Sequence, residues 1–291
     1  MEMDRRSALA NLMMAAVSRL LPGDPRGNLE PRLLKVNVVV PGLSRSLDGL
    51  RIGQVSDTHI GATLTLDHLQ RAVAVFGRDP PDIFVTTGDL LDDVNLARAC
   101  LDVLGTVKAP YGHFYIMGNH ENYAGRDAML REARAHPKVK LLLDSDSSVA
   151  VPGARIHVCG LDFSPLERVR VRWEATPLPH PVWLQPPAMA DDARRAVERS
   201  VTADFRLALV HHPDFFDALA AQGMDLTLSG HTHGGQVAPL GTSMARGIFK
   251  YPLGHYTQNN RHLYVNGGTG HWLPLRVGVP AEVTELTLRR V

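Results

Sequence analysis

The sequence predicts an α/β fold, and three observations carry that expectation. Short, β-branched apolar runs alternate with stretches of helical periodicity from residue 33 onward. Nearly every such run stops at a glycine or at a side chain able to bind a metal ion. The 291 residues are also enough chain to build a substantial core.

Each element follows from its local pattern. Leu33–Val40 and Leu50–Ser56 read as strands, and Leu66–Phe76 as a helix with Thr65 at its N-cap. Asp82–Thr87 is a buried strand, Val94–Leu104 a helix, Tyr111–Met117 a strand and Arg126–Ala135 a helix. Short strands are expected at Val139–Leu143 and Arg155–Cys159, and a helix at Ala193–Ser200. Phe205–Val210, Asp225–Ser229, Leu263–Asn266 and Glu282–Leu288 complete the strands, with a helix at Phe215–Ala221. Trp173 to Ala190 carries five prolines and two tryptophans, so it is no regular element. It is either an apolar flap for a greasy substrate or a packed surface cover.

The first residues stand apart. Arg5-Arg6 before Ala8-Leu9-Ala10 faintly resembles a twin-arginine export signal, but the apolar stretch contains Asn11 and soon meets Arg19. Leu9, Leu12, Met13, Ala16, Val17, Leu20 and Leu21 instead follow the spacing of an amphipathic helix. Residues 5–21 then either touch a membrane peripherally, with Arg5, Arg6 and Arg19 near anionic headgroups, or pack on protein. Pro22 to Gly27 reads as a linker.

Composition excludes some classes. A formal net charge of +1 and 6% aromatic residues give no global field or stacking platform for nucleic acid, so no nucleic-acid partner is expected. Cys100 and Cys159 lack CxxC spacing and read as reduced, buried side chains.

The chemistry lies at the strand ends. Asp57-Thr58-His59, Gly88-Asp89-Leu90-Leu91-Asp92, Gly118-Asn119-His120-Glu121, His211 and Gly230-His231-Thr232-His233 each follow an apolar run. Sites in open α/β sheets form beyond the carboxyl ends of strands, so five such ends converge on one rim. Each motif alone has an ordinary reading as a turn, a cap or a satisfied histidine. Together they supply carboxylate, imidazole and amide oxygen with no thiolate, a donor set for manganese, iron or zinc. Two such cations roughly 3.5–4 Å apart can generate a hydroxide at neutral pH and clamp a phosphoryl group. Gly88 and Gly118 are expected to permit tight turns before the ligands.

These segments, in this order, resemble the signature of the calcineurin-like metallophosphoesterases. Leu228 to Gln236 and Leu263 to Gly270 are further similar to a bacterial sub-branch of membrane-attached or twin-arginine-signal phosphodiesterases. The resemblance covers residues 33 to 290 and implies a four-layer α/β/β/α sandwich of two mixed sheets. Residues 1–32 would then be an N-terminal helix and linker, and 33–291 the catalytic domain. The resemblance also implies two divalent or trivalent ions. Asp57, His59, Asp89 and His233 would bind the first, and Asp89, Asn119, His211 and His231 the second, with Asp89 bridging. His120 would contact the phosphate with Asn119 and protonate the leaving oxygen, and Asp92 would orient His120.

The resulting expectation is a phosphodiesterase or pyrophosphohydrolase using a metal-bridging hydroxide on a phosphate-ester substrate. By analogy within the family, that substrate is lipid-linked, such as UDP-2,3-diacylglucosamine. The alternatives are a metal-dependent nuclease, a broad phosphomonoesterase and, last, a catalytically silent scaffold. Location is read as bacterial-type membrane-associated or cell-envelope, with a cytoplasmic alternative. His271 is read as structural or substrate-facing, and Asp93 as solvated or as an extra charge beside Asp92. Arg276 and Glu282 are expected to serve the fold.

Overall fold

Two six-stranded sheets pack face to face in the computed structural model, which describes residues 30–163, 202–238, 242–247, 249–271 and 276–291. The expected N-terminal helix and linker, the Trp173–Ala190 stretch and the Ala193–Ser200 helix lie outside these residues.

The strands are β1 (Arg32–Val40), β2 (Arg51–Val55), β3 (Ile83–Thr87), β4 (His113–Ile116), β5 (Val139–Leu141) and β6 (Ser145–Val151). They continue as β7 (Ala154–Gly160), β8 (Phe205–Leu209), β9 (Leu226–Ser229), β10 (Gly254–Gln258), β11 (Arg261–Val265) and β12 (Glu282–Arg290). The helices are α1 (Leu66–Ala74), α2 (Ala97–Leu104), α3 (Asn119–Ala135) and α4 (Phe216–Ala221). One sheet runs β1-β12-β2-β3-β4-β5 and the other β10-β11-β9-β8-β7-β6. Both are mixed: β12 pairs antiparallel with β2, while β2 to β5 are parallel; β7 to β9 and β11 are parallel, flanked by antiparallel β6 and β10.

Alternation along the strands explains the layers. Ile83 and Val85 of β3 point between the sheets, where they join Ile52, Phe114, Ile116, Val158, Leu207, Leu209 and Leu228. Phe84, between them, points outward onto Phe76, Leu69 and Leu101 below α1 and α2. α4 covers the outer face of the second sheet through Leu219 and Phe216, against Val210, Ala208, Leu263 and Val265. The result is the expected α/β/β/α order. Buried Cys100 and Cys159 are both free thiols, and burial pushes each up to about 12.

The sequence pattern leaves two strands unassigned, and its reading of two helix starts needs correction. Neither β6, whose first residues Ser145 to Ser148 are polar, nor β10 is among the strands the sequence predicts. Both are half-exposed edge strands, where alternation with the core is weakest. Asn259 and Asn260, both with positive φ, make the tight turn that pairs β10 with β11. Helix α3 starts at Asn119, well before Arg126. Its polar first turn carries site residues instead of an apolar face, and Gly125 (φ 141°) kinks it. Thr65 stands at the N-cap of α1 but makes no side-chain cap. No helix among the described residues is long and apolar enough to cross a membrane.

Candidate active site

The parallel strands β2, β3, β8 and β9 stop together, and β4 stops beside them, so their following loops meet on one rim. The backbone then turns abruptly. Asp57, His59, Asp89, His231 and His233 all adopt φ between 49° and 71°, a region that costs side-chain-bearing residues roughly 1 kcal/mol or more each. Hydrogen bonds hold these turns. Asp57 N donates to Gly88 O (3.0 Å), His59 N to Asp89 O (3.1 Å) and Gly270 N to Asp57 O (2.8 Å).

The side chains fall into two clusters. Asp57, His59 and His233 bring ligand atoms together on one side, and Asp89, His211 and His231 do so on the other. Asp89 stands between them: its Oδ2 is 3.8 Å from His59 Nε2 and 3.2 Å from His211 Nε2. His120 also approaches His59 and Asp89, with its ring centroid 4.4 Å from that of His59. His120 N donates to Asp89 Oδ1 at 2.9 Å. Asp57 is held by Ser56 Oγ (2.5 Å) and by His231 N (2.9 Å).

The hydrogen bonds fix which nitrogens are free. His211 Nδ1 donates to Thr87 O at 2.7 Å, which turns Nε2 toward the cluster, 3.2 Å from Asp89 Oδ2. His59 Nδ1 and His120 Nδ1 both point at Asp92 Oδ1, at 3.0 and 2.7 Å. Each therefore keeps Nε2 for the site. Asn119 Oδ1 and His231 Nδ1 are buried without partners. His59 Nε2 and His233 Nε2 lie 3.0 Å apart, so one shared proton is all that links two inward-facing imidazoles. Buried polar atoms this concentrated are costly unless something positive gathers their lone pairs. The residues therefore fit a cation at each cluster.

Charge follows the same logic. Burial favours neutral His231 and His233, and neighbouring imidazoles add to it, so both are held well below the usual imidazole range, as metal binding requires. Burial would also lower His211, but Asp89 beside it outweighs burial and pushes it up to about 10. That proton balances part of the buried anionic charge, a task a bound cation would take over. Burial favours protonated Asp92, yet its hydrogen bonds from His120 and His59 win and hold the carboxylate well below its usual range. Reciprocally, burial works against charge on His120, and Asp92 holds it above the usual range.

Eight of the nine singled-out residues meet here, and Asn119 adjoins His120 with its Oδ1 buried, but the reason for one neighbour changes. Gly118 has an ordinary φ of −103°, so left-handed turning does not require it. A Cβ there would overlap Asp89 Oδ1 and sit 2.8 Å from His211 Cε1; close approach is what requires the glycine.

Sequence reasoning missed the support beneath the ligands. Glu121, fully buried, accepts Leu90 N at 2.6 Å, Gly118 N at 2.7 Å and Asp89 N at 3.1 Å, and so ties two ligand loops together. An acid three residues after Gly118 at a helix start was the available signal. Arg276 is buried and donates to the carbonyls of Gly267, Gly268 and Pro280, while Glu282 accepts Tyr264 Oη and Gly267 N. Both serve the loop that braces Asp57. Asp93 caps the turn at Val94–Leu96, accepting from Asn95 N. His271 is buried, and burial pushes it down to about 4.

Residues 50–235 match the family model described as calcineurin-like phosphoesterase. The chain is 31% identical over 268 residues to a Campylobacter jejuni protein named as an uncharacterized metallophosphoesterase, covering 89% of this chain and 63% of that one. It is 29% identical over 266 residues to a transmembrane protein with metallophosphoesterase domain from Danio rerio, covering 89% and 58%. A Bacillus subtilis metallophosphoesterase, YkuE, is 27% identical over 305 residues, covering 99% and 98%. The chain thus spans less than two thirds of the first two relatives and nearly all of the third.

Proposed function

The chain belongs to the calcineurin-like phosphoesterase family of metal-dependent hydrolases, and on that premise we propose that it is a dinuclear phosphodiesterase or pyrophosphohydrolase. The observation that carries this reading is the position of Asp89 Oδ2 between the His59 and His211 Nε2 atoms. Asp57, His59, Asp89 and His233 would hold one ion, and Asp89, Asn119, His211 and His231 the other. When bound, such a pair supplies a hydroxide at neutral pH and neutralises phosphoryl charge.

The chain's own residues supply the rest. Asp92 accepts both Nδ1 protons and so sets the tautomers of His59 and His120 together. His59 is left with a free Nε2 for an ion. His120, partly exposed and held above its usual pKa, carries its second proton at Nε2 for the leaving oxygen. Asp89 fixes the height of His120 by accepting its backbone N–H. A lipid-linked phosphate is the substrate this reading prefers. Its support is the amphipathic spacing of Leu9–Leu21 and the tryptophan- and proline-rich Trp173–Ala190 stretch.

Steady-state kinetics on bis(4-nitrophenyl) phosphate, with metal analysis of the same samples, tests the roles. His120→Ala lowers kcat roughly 10²- to 10⁴-fold while keeping its metal. His233→Ala loses both turnover and metal. Unchanged turnover in both variants at saturating metal contradicts the mechanism.

A further inference from the structure

Three aromatic rings stand beside the candidate centre. Tyr123 lies three residues beyond His120 on α3, on the same helical face, and its ring centroid is 5.5 Å from that of His120. Tyr123 is 59% exposed. Among the described residues the other exposed large apolar side chains are Leu34 and Val39, on edge strand β1, and Val291. Phe163 packs against His211 and His231, at 5.6 and 5.8 Å between centroids. Phe249 meets His231 at 5.7 Å and His212 at 5.5 Å. Both phenylalanines are half-buried.

The two phenylalanines are anchored from behind. Asn122 Nδ2 donates to Phe163 O at 3.0 Å, and the neighbouring Asp162 is clamped by Arg126 at 2.5 Å. Phe249 N donates to Ala245 O at 2.9 Å. Pre-placed rings bind an apolar group with little ordering cost.

A ring face placed against an ionised phosphoryl oxygen would strip it of water and return nothing. The same face placed against an ester substituent gains contact area. A phosphomonoester has one substituent and an extra charged oxygen; a diester has two substituents. We infer that Tyr123, Phe163 and Phe249 form an aromatic collar selecting phosphodiesters with apolar, ring-bearing substituents. Tyr123, beside the proton donor, takes the leaving substituent. Phe163 and Phe249, beside the His211–His231 cluster, take the retained one. This assignment rests on the phosphoesterase reading above.

The test uses the full chain, loaded with manganese, and three substrates sharing one leaving group: 4-nitrophenyl phosphate, methyl 4-nitrophenyl phosphate and phenyl 4-nitrophenyl phosphate. The parent protein prefers the diesters to the monoester, and phenyl to methyl, in kcat/KM. Phe163→Ala and Phe249→Ala each shrink the phenyl-to-methyl ratio by about tenfold relative to the parent. Intrinsic reactivity cancels in that comparison. Phe163→Leu and Phe249→Leu, with smaller shape change, shrink the ratio in the same direction if an alanine variant does not fold. Tyr123→Ala raises KM for methyl 4-nitrophenyl phosphate, whose one ring is the leaving group, and leaves the phenyl-to-methyl ratio near the parent's. Phenyl-to-methyl ratios equal to the parent's in all folded variants overturn the collar, as does a parent that favours the monoester. A metal-loaded parent that turns over none of the three esters overturns the phosphoesterase reading instead.

Discussion

Glu121→Gln is the sharpest perturbation of the scaffold beneath the candidate centre. One carboxylate oxygen of Glu121 accepts Leu90 N, and the other accepts Gly118 N and Asp89 N. Glutamine offers one acceptor and one NH2 group. Its best orientation keeps the Gly118 and Asp89 bonds as neutral ones and turns the NH2 toward Leu90 N–H, donor against donor. The substitution therefore loses one charge-assisted bond, worth about 1.5–3 kcal/mol, and leaves a buried N–H unsatisfied at about 1–3 kcal/mol. An offset comes from burial and Asp89, which both disfavour a charge on Glu121 and raise its pKa. The net expectation is a loss of about 3 kcal/mol in urea unfolding of metal-stripped protein. Because the same bonds position Asp89, metal affinity falls as well. A loss under about 1 kcal/mol with parental metal affinity would refute the claim that Glu121 ties the two loops together.

Other expectations follow from geometry already described. Gly118→Ala places a Cβ against Asp89 Oδ1 and 2.8 Å from His211 Cε1, so it weakens metal retention more than it lowers thermal stability of the metal-free chain; metal analysis beside a melting curve separates the two. His113 is buried behind Phe84 and faces His136 and Lys138. Burial, then those charges, push it down to about 4. Its folded pKa lies below the unfolded value of about 6.5. The unfolded chain thus takes up the proton first as pH falls, and His113 costs stability progressively between about pH 6.5 and 4. The full effect is about 3 kcal/mol, so His113→Phe flattens the acid side of the stability curve by that order, read by urea unfolding across pH. A parallel pH dependence in variant and parent would show that His113 does not titrate as a buried group.

The fold was legible where burial imposes a pattern. Ile83, Phe84 and Val85 face alternate layers, and such runs announce the central strands. Ser145 to Ser148 and Gly254 to Gln258 do not, because an edge strand half-open to solvent tolerates either polarity on either face. The site was legible because metal-ligating side chains at strand ends have few other reasons to recur in series. What holds them was not. Asp92 could be suspected of orienting His120, but only distance shows that it grips His59 with the same oxygen. Glu121 looked like an ordinary first-turn acid, since its partners Asp89 and Leu90 are some thirty residues away in the chain. Backbone-to-side-chain bonds of that range leave no local spacing to read.

The central claim is a shared carboxylate between two cations, and metal stoichiometry addresses it most directly. Full-length protein is saturated with manganese, freed of excess ion and analysed for metal per chain, alongside Asp89→Asn. The account predicts two ions per chain in the parent and one or none in the variant, because Asp89 lies within reach of both clusters. A parent that saturates at one ion, or an Asp89→Asn protein that retains two with parental affinity, would contradict it.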